Sequence, residues 1–290
     1  MSKYFVKIKR VINLSYRTIR YIGRHLFIRP IYLYNYMSKY FDNDYIEPLK
    51  FYNNDDLKEL LKYKSVIRLG DGELHMHNGG DIACYQKYNK RLSIFYKNII
   101  REYSDNSPYI LGIPTFAHQS NRILREKNLI NCWMPLKATI RTYFNRYAHY
   151  ADAHAFYREG GFDLVLRPIL ESHKIIMITG EHNIRMLESE KVNIHDKLNI
   201  HFISTPEFES FDKFDEIIKN FKSFVNGLGF DIHKSLDVES FNKAYRVLVS
   251  TGPASKAVVH DLSKYGFICY DIGKGVETMY QENKVKYMIG

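Results

Sequence analysis

The sequence predicts an α/β protein in which a mostly parallel β-sheet is covered by helices on both faces. Two observations support this fold class. From residue 56 onward, short β-branched runs alternate with longer stretches of helical periodicity, which is typical of parallel strands joined by crossover helices. Several of the short runs are continuously apolar, as expected for strands buried on both faces. The 290 residues, 45% of them hydrophobic, suit one large domain or two small ones and exclude a wholly disordered chain.

The first predicted element is a basic amphipathic helix within residues 1–41. This segment holds nine of the 42 Lys and Arg residues and no Asp or Glu, whereas the rest of the chain has 33 basic and 32 acidic residues. Its apolar side chains recur at three- and four-residue steps, opposite most of the basic ones. Such a helix favours an anionic membrane surface as its partner. Packing on the body of the protein with a solvated basic face is at least as well supported by the sequence, and nucleic acid is disfavoured because the nearly neutral body offers no second basic surface.

We expect residues 1–54 to form this arm and a hinge, and residues 55–290 to form the main domain. The cysteines, Cys84, Cys132 and Cys269, are few and far apart, which disfavours a disulfide framework and a cysteine-based zinc site. No apolar run reaches the ~18–20 residues that span a bilayer, and no secretory signal is recognisable. The chain is therefore expected in the cytoplasm, with the arm at the inner face of the membrane.

Strands and helices are predicted to alternate through the main domain. The strands are Ser65–Leu69, Tyr109–Ile113, Leu164–Arg167, Ile175–Thr179, Ile200–Ser204, Tyr245–Thr251 and Phe267–Ile272. The helices cover roughly residues 90–104, 136–148, 181–190, 211–225 and 254–265. Because ligands of such sheets bind at the carboxyl ends of the strands, the residues that follow each strand are the candidates for chemistry.

The first strand is followed by an acid pair, Asp71 and Glu73, on either side of Gly72. Gly70 and Gly72 let the backbone turn tightly and approach a ligand closely. Two carboxylates at a strand end can hold Mg²⁺ or Mn²⁺, whose other ligands are diphosphate oxygens and water. They can equally cap the helix that follows, and the spacing alone favours capping.

Other strand ends carry glycine turns and basic residues. Three predicted strands run into Gly180-Glu181, Gly252-Pro253-Ala254-Ser255-Lys256 and Asp271-Ile272-Gly273-Lys274, and a fourth ends in Arg167-Pro168. Helix N-termini and guanidinium groups both bind phosphate. Each turn taken singly is a simple connection. Together, at one edge of a sheet, they predict a pocket for a ligand that carries phosphate and a divalent cation.

The segment Arg68-Leu69-Gly70-Asp71-Gly72-Glu73 resembles the R-F-G-D-G-E motif of the GT-D-type glycosyltransferases, a bacterial family first catalogued as a domain of unknown function. Further resemblances follow in order over roughly residues 56–278. They are Gln86 to Leu92, Leu111-Gly112-Ile113-Pro114, Trp133, Arg167-Pro168, Thr205-Pro206, and Val249-Ser250-Thr251-Gly252-Pro253 through Asp271-Ile272-Gly273. The sequence departs from the family pattern at Leu69, Ile169 and Lys274, where Phe, Tyr and His are usual.

The resemblance implies a Rossmann-like fold, a nucleotide-sugar donor such as a UDP-sugar, and Mn²⁺ or Mg²⁺. It places Asp71 and Glu73 at the metal and the nucleotide, as catalytic and metal-binding residues. The acceptor would be a surface polysaccharide or another glycan, free or lipid-linked, as in capsule or lipopolysaccharide synthesis. The predicted donor-binding residues are Arg68, Gly70, Gly72, Arg167, Gly180, Glu181, Gly252, Pro253, Ser255, Lys256, Asp271 and Lys274.

Sugar transfer from such a donor places negative charge on the leaving diphosphate, which the protein must stabilise with cations and helix N-termini. Arg167, Lys256 and Lys274 are the candidate cationic partners. A base for the acceptor hydroxyl could be Asp71, Glu181 or Asp271, and the sequence does not choose among them. His75 and His77 lie on the same segment as the acid pair, but a histidine there is more often structural than a metal ligand.

Two other functions remain open from the sequence. One is a membrane-tethered module that binds nucleotide or polysaccharide without turnover. The other is a different Rossmann-type enzyme with a dinucleotide or methyl donor, which the absence of a G-x-G-x-x-G motif disfavours.

Overall fold

The structure is a computed structural model that describes residues 49–82, 86–133, 136–155, 167–188 and 200–276. The predicted basic arm lies outside the described residues. These residues divide into two compact units. Residues 49–115 and 143–276 form the larger unit, and residues 116–142 form the smaller one.

Within the described ranges, the larger unit is built on a sheet of eight strands in the order β1-β4-β3-β2-β8-β7-β5-β6. Each pair of neighbouring strands among the described residues is parallel. Strands β2, β3 and β7 are buried at every residue, so both faces of the central sheet are covered. The strands are β1 (Lys50–Phe51), β2 (Ser65–Arg68), β3 (Tyr109–Ile113), β4 (His149–Asp152), β5 (Lys174–Gly180), β6 (Ile200–Thr205), β7 (Tyr245–Ser250) and β8 (Cys269–Asp271).

The described helices, in chain order, are α1 (Asn54–Leu61), α2 (Asp71–His77), α3 (Lys90–Glu102), α4 (Asn121–Glu126), α5 (Ile130–Trp133), α6 (Lys137–Tyr143), α7 (Arg167–Ser172), α8 (Glu181–Glu188), α9 (Phe214–Gly227), α10 (Ser235–Ala244) and α11 (Ala254–Lys264). Helices α4 and α5 and all but the last residue of α6 belong to the smaller unit. In the described parts of the chain, no helix combines the length and apolarity needed to cross a bilayer.

Helix α3 shows how the sequence builds this covering layer. The Asn89 side chain caps its first turn by accepting hydrogen bonds from the backbone N–H groups of Arg91 and Leu92. Leu92, Tyr96 and Ile99 recur at three- and four-residue steps and are fully buried. Each such side chain contributes about 1.5–3 kcal/mol when it leaves water, so the apolar stripe holds α3 in place.

The predicted α/β class with a parallel sheet is confirmed, and six of the seven predicted strands are present, one with the predicted ends and five with slightly different ends. The prediction that Arg167 ends a strand is wrong, because Arg167 begins α7; residues 164–166 lie outside the described residues. Pro168 explains the error, since proline is well suited to the first turn of a helix. The helix predicted over residues 136–148 ends at Tyr143, before β4.

His260 on α11 is a buried histidine in an apolar setting. Its ring packs edge-on against Phe95 and Tyr109, and neither ring nitrogen has a hydrogen-bond partner among the described residues. Nε2 lies 3.8 Å from a Glu102 carboxylate oxygen, and the exposed Lys264 ammonium lies on the same helix. Burial, and then the charge of Lys264, lowers the pKa of His260 to about 4.

We expect His260 to destabilise the protein in mild acid. Between about pH 6.5 and pH 4 the unfolded chain binds a proton at this histidine and the folded chain does not, so stability falls as pH falls. The loss approaches about 3 kcal/mol near pH 4. Urea unfolding at pH 7 and pH 5 should show a smaller pH-dependent loss for His260→Leu than for the unaltered chain. His233, which is exposed, provides the control His233→Gln. Equal pH dependence in the unaltered chain and His260→Leu would contradict the prediction.

Candidate active site

The site lies where β2, β8 and β7 end beside one another. Val66 of β2 pairs with Tyr270 of β8, which pairs in turn with Leu248 of β7. The residues that follow these strands therefore meet at one edge of the sheet. They are the turn from Gly70 to Glu73, the turn after Asp271, and the loop 251–253 that leads into α11.

The acid pair begins α2, and its two carboxylates have different surroundings. Asp71, the first helical residue, is exposed. Glu73, the third, has only 12% of its side chain exposed, and its Oε2 accepts a hydrogen bond of 2.7 Å from the backbone N–H of Gly70. Glu73 thus closes the capping arrangement in which the third residue of a helix binds back to the N-cap.

Lys256 of α11 is a buried cation surrounded by acceptors. Its Nζ lies 3.1 Å from Glu73 Oε1, 3.4 Å from Asp271 Oδ2 and 3.2 Å from the carbonyl oxygen of Gly252. The contact with Gly252 is a hydrogen bond, and those with the two carboxylates are ion pairs. Burial lowers the pKa of Lys256, but the negative charges of Asp271 and Glu73 outweigh it and leave the pKa above its usual value. Lys256 is therefore charged at neutral pH.

Asp271, at the end of β8, is fully buried and accepts from several donors. Its Oδ1 accepts from Arg68 Nη2 at 3.4 Å and from the Gly273 N–H at 3.2 Å, and its Oδ2 accepts from the Arg68 backbone N–H at 3.2 Å. Arg68 also donates from Nε to the Asp271 carbonyl at 2.6 Å and from Nη1 to the Ala153 carbonyl at 2.9 Å. Together with Lys256 these contacts tie the ends of β2, β8 and β7 into one buried charge network.

The loop between β7 and α11 is held by hydroxyl groups. Ser255 is buried, and its Oγ accepts a hydrogen bond of 2.8 Å from the Thr251 N–H. Ser210 Oγ donates to the Thr251 carbonyl at 2.7 Å, and Tyr96 donates from its hydroxyl to the Pro253 carbonyl at 2.7 Å. Gly252 is exposed at a φ of +57°, where other residues are strained. These buried hydroxyl groups thus fix the loop, and Gly252 remains exposed to solvent.

Tyr96 was not singled out from the sequence, although it lies beneath the site. Burial, and then the charges of Glu73 and Asp271, raises the pKa of Tyr96 well above its usual value, so its hydroxyl remains a donor. Its only sequence signal was membership of the apolar stripe of α3. Ser250, whose Oγ donates to the Gly273 carbonyl at 2.7 Å, was also overlooked because it ends a predicted strand like many other serines.

Gly180 is the last residue of β5, the neighbour of β7, and Glu181 follows it. Here α8 begins, and the His182 N–H donates to Glu207 Oε1 at 3.0 Å, so an internal carboxylate already occupies this helix N-terminus. Glu181 is exposed and lines an open cavity of about 370 Å³. The other lining residues are Ser204, Thr205, Pro206 and Glu207.

Of the predicted site residues, Arg68, Gly70, Glu73, Lys256 and Asp271 come together. The exposed residues Asp71, Gly252 and Lys274 follow the same three strands. Pro253 and Ser255 shape the connection between β7 and α11. Gly72 packs against Ile82, since a Cβ there would meet Ile82 Cγ2 at 2.9 Å. Arg167 follows none of these strands.

The two histidines near the acid pair differ in burial. His77 is buried, contacts the Asn78 side chain through Nδ1 at 2.9 Å and packs 5.0 Å from the Tyr143 ring. His75 is partly buried, and burial lowers its pKa while the charge of Asp71 acts in the opposite direction. Among the described residues, no cluster of three or more His, Cys, Asp or Glu side chains is placed to hold a metal ion.

The fold of this chain is similar to that of solved glycosyltransferase structures. A glycosyltransferase of Streptococcus sanguinis with domain of unknown function 1792 superimposes with a TM-score of 0.60 at 17% identity, over 81% of this chain and 85% of that one. A structure of this domain described as having a distinct glycosyltransferase fold gives 0.59 at 19% identity, over 81% and 83%. No curated protein sequence gives a significant match.

The fold is therefore the parallel α/β architecture of these solved glycosyltransferase structures. The family model "Glycosyltransferase GT-D fold" matches residues 66–228, more than half of the chain. The chain belongs to this GT-D glycosyltransferase family, and the resemblance noted in the sequence is confirmed.

Proposed function

We propose that this glycosyltransferase moves a sugar from a nucleotide-sugar donor, a UDP-sugar, to a glycan or lipid-linked glycan acceptor. The observation that carries the proposal is the exposed Asp71 at the carboxyl end of β2, on the same sheet edge as the exposed Gly252 backbone that leads into α11. In parallel α/β sheets this edge is where nucleotides bind. A growing bacterial surface polysaccharide would suit as acceptor.

The donor diphosphate must be stabilised as it leaves. The N-terminus of α11, a helix of eleven residues, provides a positive dipole end at the loop that contains Gly252. Lys274 is an exposed cation directly after Gly273, and it supports the same role. Lys256 contributes indirectly, because its ammonium group is already shared among three internal acceptors.

A divalent cation, Mn²⁺ or Mg²⁺, fits the described residues in one arrangement, with Asp71 as its protein ligand. Asp71 is exposed and could hold an ion whose other ligands are diphosphate oxygens and water, as is common for Mg²⁺. Glu73 fits less well as a second ligand, since its two oxygens already contact the Gly70 N–H and Lys256 Nζ. When bound, the cation would neutralise charge on the leaving diphosphate.

The base for the acceptor hydroxyl must reach the acceptor. Asp271 is fully buried and engaged by Arg68, Gly273 and Lys256, which removes it from the three candidates. Asp71 and Glu181 are both exposed and remain candidates. Glu181 lines the open cavity beside β5, where an acceptor sugar has room.

A panel of UDP-sugars with and without Mn²⁺ tests the function. We expect one donor to release UDP slowly to water in the presence of Mn²⁺, and faster when a glycan acceptor is added. Nucleotide binding without release for every donor would support a binding module instead. Stabilisation by a dinucleotide or methyl donor alone would support a different Rossmann-type enzyme and overturn the proposal.

We further propose that the basic arm binds anionic membrane. Each basic residue near such a surface contributes about 1 kcal/mol, so replacing six of them by Gln should abolish sedimentation with phosphatidylglycerol vesicles and leave donor hydrolysis intact. Vesicles of phosphatidylcholine alone serve as the control. If the unaltered chain stays in the supernatant with both vesicles, the membrane proposal fails. The six residues are Lys3, Lys7, Arg10, Arg17, Arg20 and Arg24.

A further inference from the structure

Glu73 and Lys256 occupy a neutral, buried cluster of four charges. The cluster contains the cations of Arg68 and Lys256 and the carboxylates of Glu73 and Asp271, with side-chain exposures of 8%, 7%, 12% and 0%. Loss of one member of such a cluster leaves an uncompensated buried charge, whereas loss of an oppositely charged pair preserves neutrality.

The contacts of Glu73 link two loops of the site. Through Oε2 it holds the Gly70 N–H, which sets the turn that carries Asp71. Through Oε1 it holds Lys256, whose ammonium also binds the Gly252 carbonyl in the loop 251–253 that leads into α11. The Glu73 carboxylate and the Lys256 ammonium group thus fix the position of Asp71 relative to the Gly252 backbone.

We propose that Glu73 and Lys256 are a positioning pair that fixes the Gly70–Gly72 turn against the loop 251–253 before α11. In this arrangement Asp71 is the only member of the acid pair that faces the donor diphosphate. This inference rests on the proposed function for the nature of the donor. It separates two carboxylates that sequence spacing treats as equivalent: one acts on the ligand and the other acts through its neighbours.

A double-mutant cycle tests the pairing without any ligand. Glu73→Gln and Lys256→Met should each lower the thermal unfolding midpoint by about 5–10 °C, because each leaves a net charge buried. The double variant, which is neutral again, should recover at least half of the larger single loss. Additive losses in the double variant would show that the two side chains are not coupled and would overturn the pairing.

Calorimetric titration with UDP tests the division of roles. We expect Mn²⁺ to tighten UDP binding to the unaltered chain and Asp71→Asn to lose most of that tightening. If UDP binds and Mn²⁺ does not tighten it, the metal-holding role of Asp71 is wrong. The Glu73→Gln/Lys256→Met variant should bind UDP more weakly with and without Mn²⁺, because the turn and the loop 251–253 are no longer linked. It should keep the Mn²⁺-dependent tightening within about threefold, which a metal-ligand role for Glu73 would not allow. Loss in the double variant as complete as in Asp71→Asn would make Glu73 a ligand and overturn the proposal.

The two experiments separate failure of the inference from failure of the proposed function. If UDP does not bind the unaltered chain, the proposed nucleotide-sugar donor is wrong, and the donor-facing role assigned to Asp71 falls with it. The unfolding cycle is measured without nucleotide or metal, so it decides the Glu73–Lys256 pairing in either case.

Discussion

Asp71→Asn is expected to reduce UDP-sugar hydrolysis by on the order of 100-fold while leaving the fold intact. The substitution keeps the size of an exposed side chain and removes its charge, which is the property needed to hold a cation at a diphosphate. The stability cost of the weaker interaction with the helix dipole of α2 is small, about 0.3–1 kcal/mol. Steady-state rates with Mn²⁺ and an unfolding curve measure the two effects.

Asp55→Asn is the matched control for this experiment. Asp55 also lies in the first turn of a helix, α1, and its side chain is 94% exposed. The two variants therefore lose the same charge at similar helix positions, and only the Asp71 variant should lose activity. An Asp71→Asn protein that hydrolyses the donor at the rate of Asp55→Asn would contradict the role of Asp71.

The position of the site could be predicted from the sequence because it follows from strand ends. Parallel strands place their carboxyl ends at one edge, so Gly70, Gly252 and Gly273 were brought to the same region once their strands were recognised. The family resemblance carried the identity of the reaction, which the strand pattern alone does not contain.

The roles within the site could not be predicted in the same way. Spacing places Asp71 and Glu73 on one turn, but it does not show that one is exposed while the other contacts a lysine 183 positions later. Lys256 looks from the sequence like a phosphate ligand at a helix N-terminus. Only the packing of α11 against β2 and β8 reveals that acceptors surround its ammonium group.

Short elements were missed for a different physical reason. β4 has the sequence His-Tyr-Ala-Asp, which lacks the β-branched run of a typical buried strand, and β1 has only two residues. β4 pairs with the fully buried β3, and β1 pairs with β4, so tertiary context rather than local propensity makes them strands.

Gly273→Ala is expected to destabilise the protein by about 4 kcal/mol, the largest stability effect predicted here. Gly273 has a φ of +51°, and a Cβ there would overlap the Arg68 guanidinium, with Cζ at 2.8 Å. The guanidinium cannot move aside cheaply, because it is buried and donates to Asp271 and to the Ala153 carbonyl. Its displacement would leave Asp271 without one of its cations. Urea unfolding at neutral pH measures the loss.

Two further variants separate the contribution of backbone strain from that of the contact with the Arg68 guanidinium. Gly229 also has a positive φ, +89°, but open space around its Cβ direction, so Gly229→Ala should cost only the backbone strain of about 1–2 kcal/mol. In an Arg68→Met background the guanidinium is gone, and Gly273→Ala should then cost about as much as Gly229→Ala does alone. If Gly273→Ala costs the same with and without the Arg68 guanidinium, backbone strain accounts for all of the loss. In that case the tight fit of Gly273 against the buried charge network makes no contribution to stability.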